Sequence, residues 1–388
     1  MPRAVWIALG VVAALNFLVA VYLLFTRPER WSDVLTVHAW CRAWLKEGFS
    51  LYTSEGWFPD YPPNAIVTLS PIAVVPREWI VGLWAVVSIG LIPLLPWAVW
   101  RSAQPSPAVA AALPVLCFLC WGSARVLLQF SVLSMTCAFV ALRLAGTRPV
   151  AGGVWLGLAL AKPQIAGPVA LWFLLSGRWR TIVVAAGIVA AQVAVFCLRA
   201  GVSPVATMMG FRRILTETYS GSDALIGMTS LGAWVYPLAA SSPRPDTIWY
   251  GVVALLFIVP CAMAVIASRR SKLADPTPII ATFSLWSLLA FYHNGHNLIL
   301  VLPAFIFLIG ADDDASKRER FVLASVLQLA MVVDAPIRLA GLQWAHGWTL
   351  AATINVDRVV VLAAFCSLPL VWLRVRPCPQ LDVGQYRT

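Results

Sequence analysis

The sequence predicts an all-α, polytopic membrane protein on three observations. Apolar stretches approaching bilayer length recur along the whole chain, charge is scarce, and the basic residues collect mostly in short turns between those stretches. Of 388 residues, 60% are hydrophobic and only 12% are charged, and the mean hydropathy is +0.81, which excludes a set of soluble domains of that length.

Residues 5–25 form the first such stretch. No small-residue cleavage site follows it, so it is expected to remain as the first span. A net charge of +11 is a nucleic-acid-like value, but these basic residues occupy inter-span turns rather than one face, the pattern of anchors on the cytoplasmic side. Most of the eight Cys lie in apolar stretches. Cys117 and Cys120 have C-x-x-C spacing but no His or second pair nearby, so packing accounts for them.

Arg3, Arg101, Arg143 with Arg148, Arg178 with Arg180, Arg269 with Arg270 and Lys272, Lys317 with Arg318 and Arg320, and Arg374 with Arg376 share one side only if each interval holds an even number of crossings. Spans near residues 5–25, 79–100, 108–123, 126–142, 150–161, 164–177, 181–199, 247–267, 277–292, 297–311, 321–340 and 356–374 meet that condition. They make about twelve crossings, within a range of ten to thirteen, in a single integral domain over 1–388 with both termini inside.

The condition bears hardest on residues 151–176, where an apolar run is interrupted once, at Lys162-Pro163. A single tilted helix puts Lys162 near mid-bilayer, at roughly 2.5 to 3.5 kcal/mol on insertion scales, and has Pro163 remove a helix bond. A hairpin of two short helices with Lys162 at its outer tip avoids both costs and is the expected arrangement. Each arm is short for a full crossing and needs local thinning or a water-filled cavity. The outer segments then include a first loop at 26–78 and a second at 200–246. Within the second, 229–240 is apolar but too short to cross, and is expected to lie in the interface or re-enter.

In the first loop, Ser32-Asp33 precedes Val34, Leu35, Val37, Trp40, Cys41, Trp44 and Leu45 at helical spacing, with Gly48 placed as a C-cap. That is the pattern of an amphipathic helix at the membrane interface. Asp33 fits an N-cap, and it equally fits a general base taking a proton from a substrate hydroxyl. Farther on, the prolines of 58–76 predict a stiff, extended loop over the membrane mouth, with Asp60 a solvated turn residue.

Asp33 with its helix, Gly48, Tyr52, Tyr61-Pro62-Pro63 and Ser70-Pro71 through Pro76 resembles the opening of glycosyltransferase family 87, in the GT-C superfamily. The likeness continues in register. Gln129 in Leu128-Gln-Phe-Ser131 is similar to a Gly-Gln element, Gly157 through Lys162-Pro163 to a Gly-Leu…Lys-Pro element, and Tyr292-His293 to a Tyr-His element. Leu128 stands where the family usually has Gly, and His38 where an aromatic is common.

The resemblance implies an inverting transferase of GT-C type with an extracytoplasmic active site, in the plasma membrane, moving a sugar, mannose in this family, from a polyprenyl phosphate to a lipid-linked or envelope glycan. It places Asp33 as catalytic base. The leaving lipid phosphate needs cationic or hydrogen-bonding partners in a low-dielectric site, and the outward candidates for donor or substrate binding are Lys162, His293, His296, Arg125, Arg212, Arg213, Gln129 and Tyr61. Six of them have a plainer explanation: Lys162 as a snorkelling helix end, His293 and His296 as a polar tip, Arg212 and Arg213 as headgroup contacts, and Arg125 as topology noise. No cofactor or metal site is expected. The two His lack a neighbouring carboxylate, and Asp312-Asp313-Asp314 falls in a cytoplasmic turn. A secondary transporter or flippase also suits twelve spans, but transporters tend to show internal repeats and ionisable residues at the midplane, whereas the polar residues here gather in outer segments.

Overall fold

Proline opens many of the helices, because its fixed φ suits the first helical position and its missing N–H costs nothing there. The computed structural model describes residues 32–91, 94–95, 129–219, 230–239, 241–269, 276–291, 299–310, 318–320, 322–327 and 348–374, with isolated positions between 11 and 26. Pro63, Pro149, Pro163, Pro204 and Pro245 each begin a helix. Among the described residues every regular element is helical.

In chain order these are α1 Ser32–Glu47, α2 Pro63–Leu69 continued by a 3-10 turn at Ser70–Val74, α3 Arg77–Leu91, α4 Ser131–Leu144, α5 Pro149–Ala159, α6 Pro163–Leu175, α7 Trp179–Ala200, α8 Pro204–Tyr219, α9 Gly232–Leu238, α10 Pro245–Arg269, α11 Thr277–Ala290, α12 Leu302–Gly310 and α13 Trp348–Arg374. Two of them, Trp179–Ala200 and Pro245–Ala267, are long and apolar enough to cross a membrane, and the pair Pro63–Val74 and Arg77–Leu91, bent by 115°, is a broken span or a re-entrant loop. Only 22% of each long span is buried. Their large exposed side chains, among them Val183, Val195, Leu198, Leu255 and Ile258, are left for lipid to cover. The remaining apolar helices, α4 to α6 and α11 among them, are shorter. The expected spans near 108–123, and the greater part of those near 5–25 and 321–340, lie outside the described residues.

The prolines of the first loop correct the sequence reading. Pro62 is the N-cap of α2 and Pro63 its first residue, while Pro71 sits in the opening turn of the 3-10 segment. Residues 63–74 are thus helical rather than extended, since prolines at these positions start helices instead of blocking them. The second loop also holds a helix that the sequence reading did not assign, α8. Its Thr207 and Ile214 are buried, and Gly210 allows close approach to the Tyr52 backbone.

The chain reverses at 160–162, as expected of a hairpin. α4 and α5 are antiparallel: the Ser134 hydroxyl donates to the Ala159 carbonyl at 2.7 Å, and Gly152 faces Ala145 and Ala141. α5 and α7 run in the same direction, because Gly153 meets Val184 and Gly157 meets Ile188. Two consecutive reversals are needed for that, so α6 must return the chain between them. The close approach depends on absent side chains. A Cβ on Gly153 would lie 2.5 Å from Val184 Cβ, and one on Gly157 2.7 Å from Ile188 Cβ.

This geometry sorts the polar residues to two ends. Arg148 and Arg180 lie at the end where α4 turns into α5 and α6 into α7. Lys162 lies at the other, where α5 ends, α6 begins and α11 closes, the Ser287 hydroxyl donating to the Gln164 carbonyl at 3.0 Å. Short α9 joins that end through the Leu231 N–H, which donates to the Leu289 carbonyl at 3.0 Å. Buried apolar side chains form two clusters. One is built on α4, α5, α6, α10, α11, α12 and α13, the other on α1, α2 and α3 with Phe130, Ala161, Phe196 and Ile214.

Substitution of Gly157 by Leu should lower stability by roughly 1–3 kcal/mol through overpacking against α7. A thermal unfolding midpoint in detergent equal to that of the wild type would contradict the close α5–α7 contact.

Candidate functional site

Lys162 sits at the seam of the two clusters. Ala161 and Phe130 belong to one, Val132 and Ile165 to the other. The residue is 3% exposed, and its ammonium donates to Gln129 Oε1 at 3.1 Å and to Ser131 Oγ at 2.8 Å. The Tyr61 ring faces it, 5.5 Å from Nζ to centroid. The Tyr61 hydroxyl donates to the same Gln129 Oε1 at 3.2 Å, so one amide oxygen joins the first loop to the hairpin tip.

Tyr61 is held from several sides. Its carbonyl accepts from the Tyr52 hydroxyl at 2.6 Å, its ring lies 5.9 Å from Phe130 and 6.3 Å from Trp40, and three residues on, Asn64 Nδ2 donates to the Leu160 carbonyl at 3.0 Å. Tyr52 is fully buried between Phe196 and Phe211, so α7 and α8 clamp the loop from behind.

Asp33 occupies the first turn of α1 and is exposed, while Val34, Val37, His38, Trp40, Cys41 and Trp44 are buried against the neighbouring elements. Trp40 follows it by seven residues, hence on nearly the same face and about 10 Å along the axis. The helix is anchored at both ends. His38 Nε2 is 2.9 Å from the Val75 carbonyl, and Trp44 Nε1 donates to the Phe196 carbonyl at 3.1 Å. Gly48, at φ +69°, ends it, and the Arg199 guanidinium donates to the Leu45 and Lys46 carbonyls, satisfying two of the acceptors that a helix end leaves open.

Burial pushes the Lys162 ammonium down, to about 8, because the charged form loses its hydration; the carboxylates of Asp60 and then Asp33 oppose this. Both acids therefore lie within electrostatic reach of the buried cation. Asp60 is half-buried rather than solvated as the sequence reading has it, since buried Pro59 and Tyr61 on either side pull its turn into the protein.

Among the described candidates, the structure brings Lys162, Gln129 and Tyr61 together, with Asp33 near enough to act on the cation. Arg212 and Arg213 are not part of this group. They lie on the exposed side of α8, where Arg213 Nε is 3.9 Å from a Glu217 carboxylate oxygen. Arg125, His293 and His296 lie outside the described residues, although α11 carries the chain to Phe291 at the Lys162 end. Sequence reasoning missed Ser131 and Asn64. Each lies within or directly after a quoted motif, and a hydroxyl two residues beyond Gln129 at a helix start was the available signal.

The profile of glycosyltransferase family 87 matches residues 58–303, well over half of the chain and all of the Lys162 network. The chain belongs to glycosyltransferase family 87. It is accordingly a membrane glycosyltransferase. Asp33 lies ahead of the matched segment. Comparison with curated proteins and with solved structures finds no match.

Replacing Tyr52 by Phe leaves the buried Tyr61 carbonyl without its donor, at a cost of about 1–3 kcal/mol. Limited proteolysis should cut residues 48–62 of this family 87 glycosyltransferase faster than in the wild type. Equal rates would contradict the role of Tyr52 as the clamp on Tyr61.

Proposed function

We propose that the protein transfers a sugar, mannose, from a polyprenyl phosphate to a lipid-linked or envelope glycan on the extracytoplasmic face of the plasma membrane, with inversion at the anomeric carbon. The observation that carries this reading is a buried cation, Lys162, with an exposed carboxylate, Asp33, in electrostatic reach at one end of the helical bundle.

The chemistry divides between these two groups. Asp33 accepts the proton of the acceptor hydroxyl as its oxygen attacks the anomeric carbon. The bond from that carbon to the phosphate oxygen breaks and its electron pair stays on the lipid phosphate. Charge grows there, and an ammonium with little water around it stabilises that charge strongly. Gln129 and Ser131 aim the ammonium, and Tyr61 roofs it. Such a step needs no divalent ion. The extracytoplasmic assignment is supported by the separation of ends: Arg148 and Arg180 gather opposite the site, as residues retained on the cytoplasmic side do.

The test is transfer from polyprenyl-phosphate-mannose by the purified protein. Asp33→Asn should lose most of the rate, on the order of a hundredfold or more, as general-base removal does. Equal transfer by wild type and variant would sink the base assignment, and robust transfer from a nucleotide sugar without lipid donor would overturn the donor class.

Protonation of Lys162 sets a second expectation. In the empty site the ammonium keeps its proton below about pH 8 and loses it above. If phosphate binding needs the charge, kcat/KM falls as pH rises through about 8, since this parameter reports the free enzyme. A profile level to pH 10 would contradict the role of Lys162.

A further inference from the structure

Asp60 has no task in the transfer step just described, yet the fold fixes it beside the Lys162 network. It occupies the turn between buried Pro59 and buried Tyr61, and that turn is tied down on both sides. The Tyr52 hydroxyl holds the Tyr61 carbonyl at 2.6 Å, and Asn64 donates to the carbonyl of Leu160, two residues before Lys162, at 3.0 Å. The next side chain after Asp60 is the ring that lies 5.5 Å from Lys162 Nζ. The backbone that carries Asp60 is thereby held close to the Lys162 network.

Among the described residues, the elements packed around the ammonium are otherwise poor in charge. Gln129 and Ser131, at the start of α4, are neutral, and α4 carries its single charged residue, Arg143, at its far end. α5 and α6 carry no charged residue. The phenols of Tyr52 and Tyr61 stand on the loop side, and α1 contributes Asp33, which is exposed. Of the described carboxylates, Asp60 and then Asp33 favour the charged form of Lys162. A buried ammonium needs an opposite charge nearby to keep its proton.

We propose that Asp60 is a positioning residue of the transfer reaction: it faces the Lys162 ammonium from the Tyr61 turn, keeps it charged and aligned while the site is empty, and cedes it to the phosphate of the arriving lipid donor. The inference rests on the assignment of Lys162 to the donor phosphate. Asp60 touches neither reacting atom and acts through Lys162, so its removal should change when Lys162 is charged rather than the chemical step.

The experiment is the pH profile of kcat/KM for transfer from polyprenyl-phosphate-mannose, measured for wild type, Asp60→Asn, Asp60→Ser and Asp60→Glu, each also in a Lys162→Arg background. Asp60→Asn and Asp60→Ser should move the basic limb down by about one pH unit, the size of effect that one nearby opposite charge produces. Asp60→Glu should restore it. Arg does not lose its charge in this range, so in the Lys162→Arg background the limb assigned to Lys162 should be absent and the Asp60 substitutions should leave the pH profile unchanged. Unfolding midpoints confirm that the compared variants are folded, and the two neutral replacements guard against one of them failing to fold. A basic limb unmoved by either neutral replacement overturns the role of Asp60 while the assignment of Lys162 stands. Undiminished transfer by Lys162→Met overturns both.

Discussion

A buried ammonium must find acceptors and counter-charge inside the protein, and around Lys162 that requirement ties together parts of the chain that are far apart in sequence. The cation lies where the two apolar clusters meet, so neither can be repacked without disturbing it. Gln129 and Ser131 supply oxygens from the start of α4, and Tyr61 supplies its ring from the first loop. The surrounding elements are held in turn: Tyr61 by Tyr52, Tyr52 by Phe196 and Phe211, and α1 by Arg199 and, through its own Trp44, by the Phe196 carbonyl. An incompletely satisfied buried charge costs several kcal/mol, which is why such a network is either complete or absent.

The helix scaffold places this network at one end of the molecule. Gly153 and Gly157 let α5 and α7 run side by side in the same direction, and α6 returns the chain between them. That short return puts Lys162 at a tip instead of mid-helix and leaves the basic turns at the opposite end. The chain therefore sets the Arg148 and Arg180 turns at one end and the Lys162 network at the other. The remaining apolar faces of α7 and α10 are left for lipid.

Much of this was legible in the sequence, and for identifiable reasons. Lys162-Pro163 interrupts an apolar run where a single span would carry both a mid-bilayer Lys and a lost helix bond, so the reversal could be read without a structure. Gly48 could be read as a helix stop because its left-handed conformation suits glycine. Gln129, Lys162 and Tyr61 were singled out separately by family likeness, and the structure shows why they belong together. What stayed hidden depends on contacts across the chain. Prolines 62, 63 and 71 read as extended because their spacing does not reveal that each begins a helical turn. α8 was hidden because the face that carries Thr207, Gly210, Phe211 and Ile214 meets residues distant in sequence, Tyr52 among them. Asp60 looked solvated because nothing local indicates that the chain on either side of it is buried.

The central claim is that the buried ammonium of Lys162 is the anchor for a lipid phosphate. Equilibrium binding of a polyprenyl phosphate to the purified protein in nanodiscs, wild type against Lys162→Met, tests it most directly. The account predicts that the variant stays folded and loses at least tenfold in affinity, about 1.4 kcal/mol. Equal affinity in a folded Lys162→Met protein would contradict it.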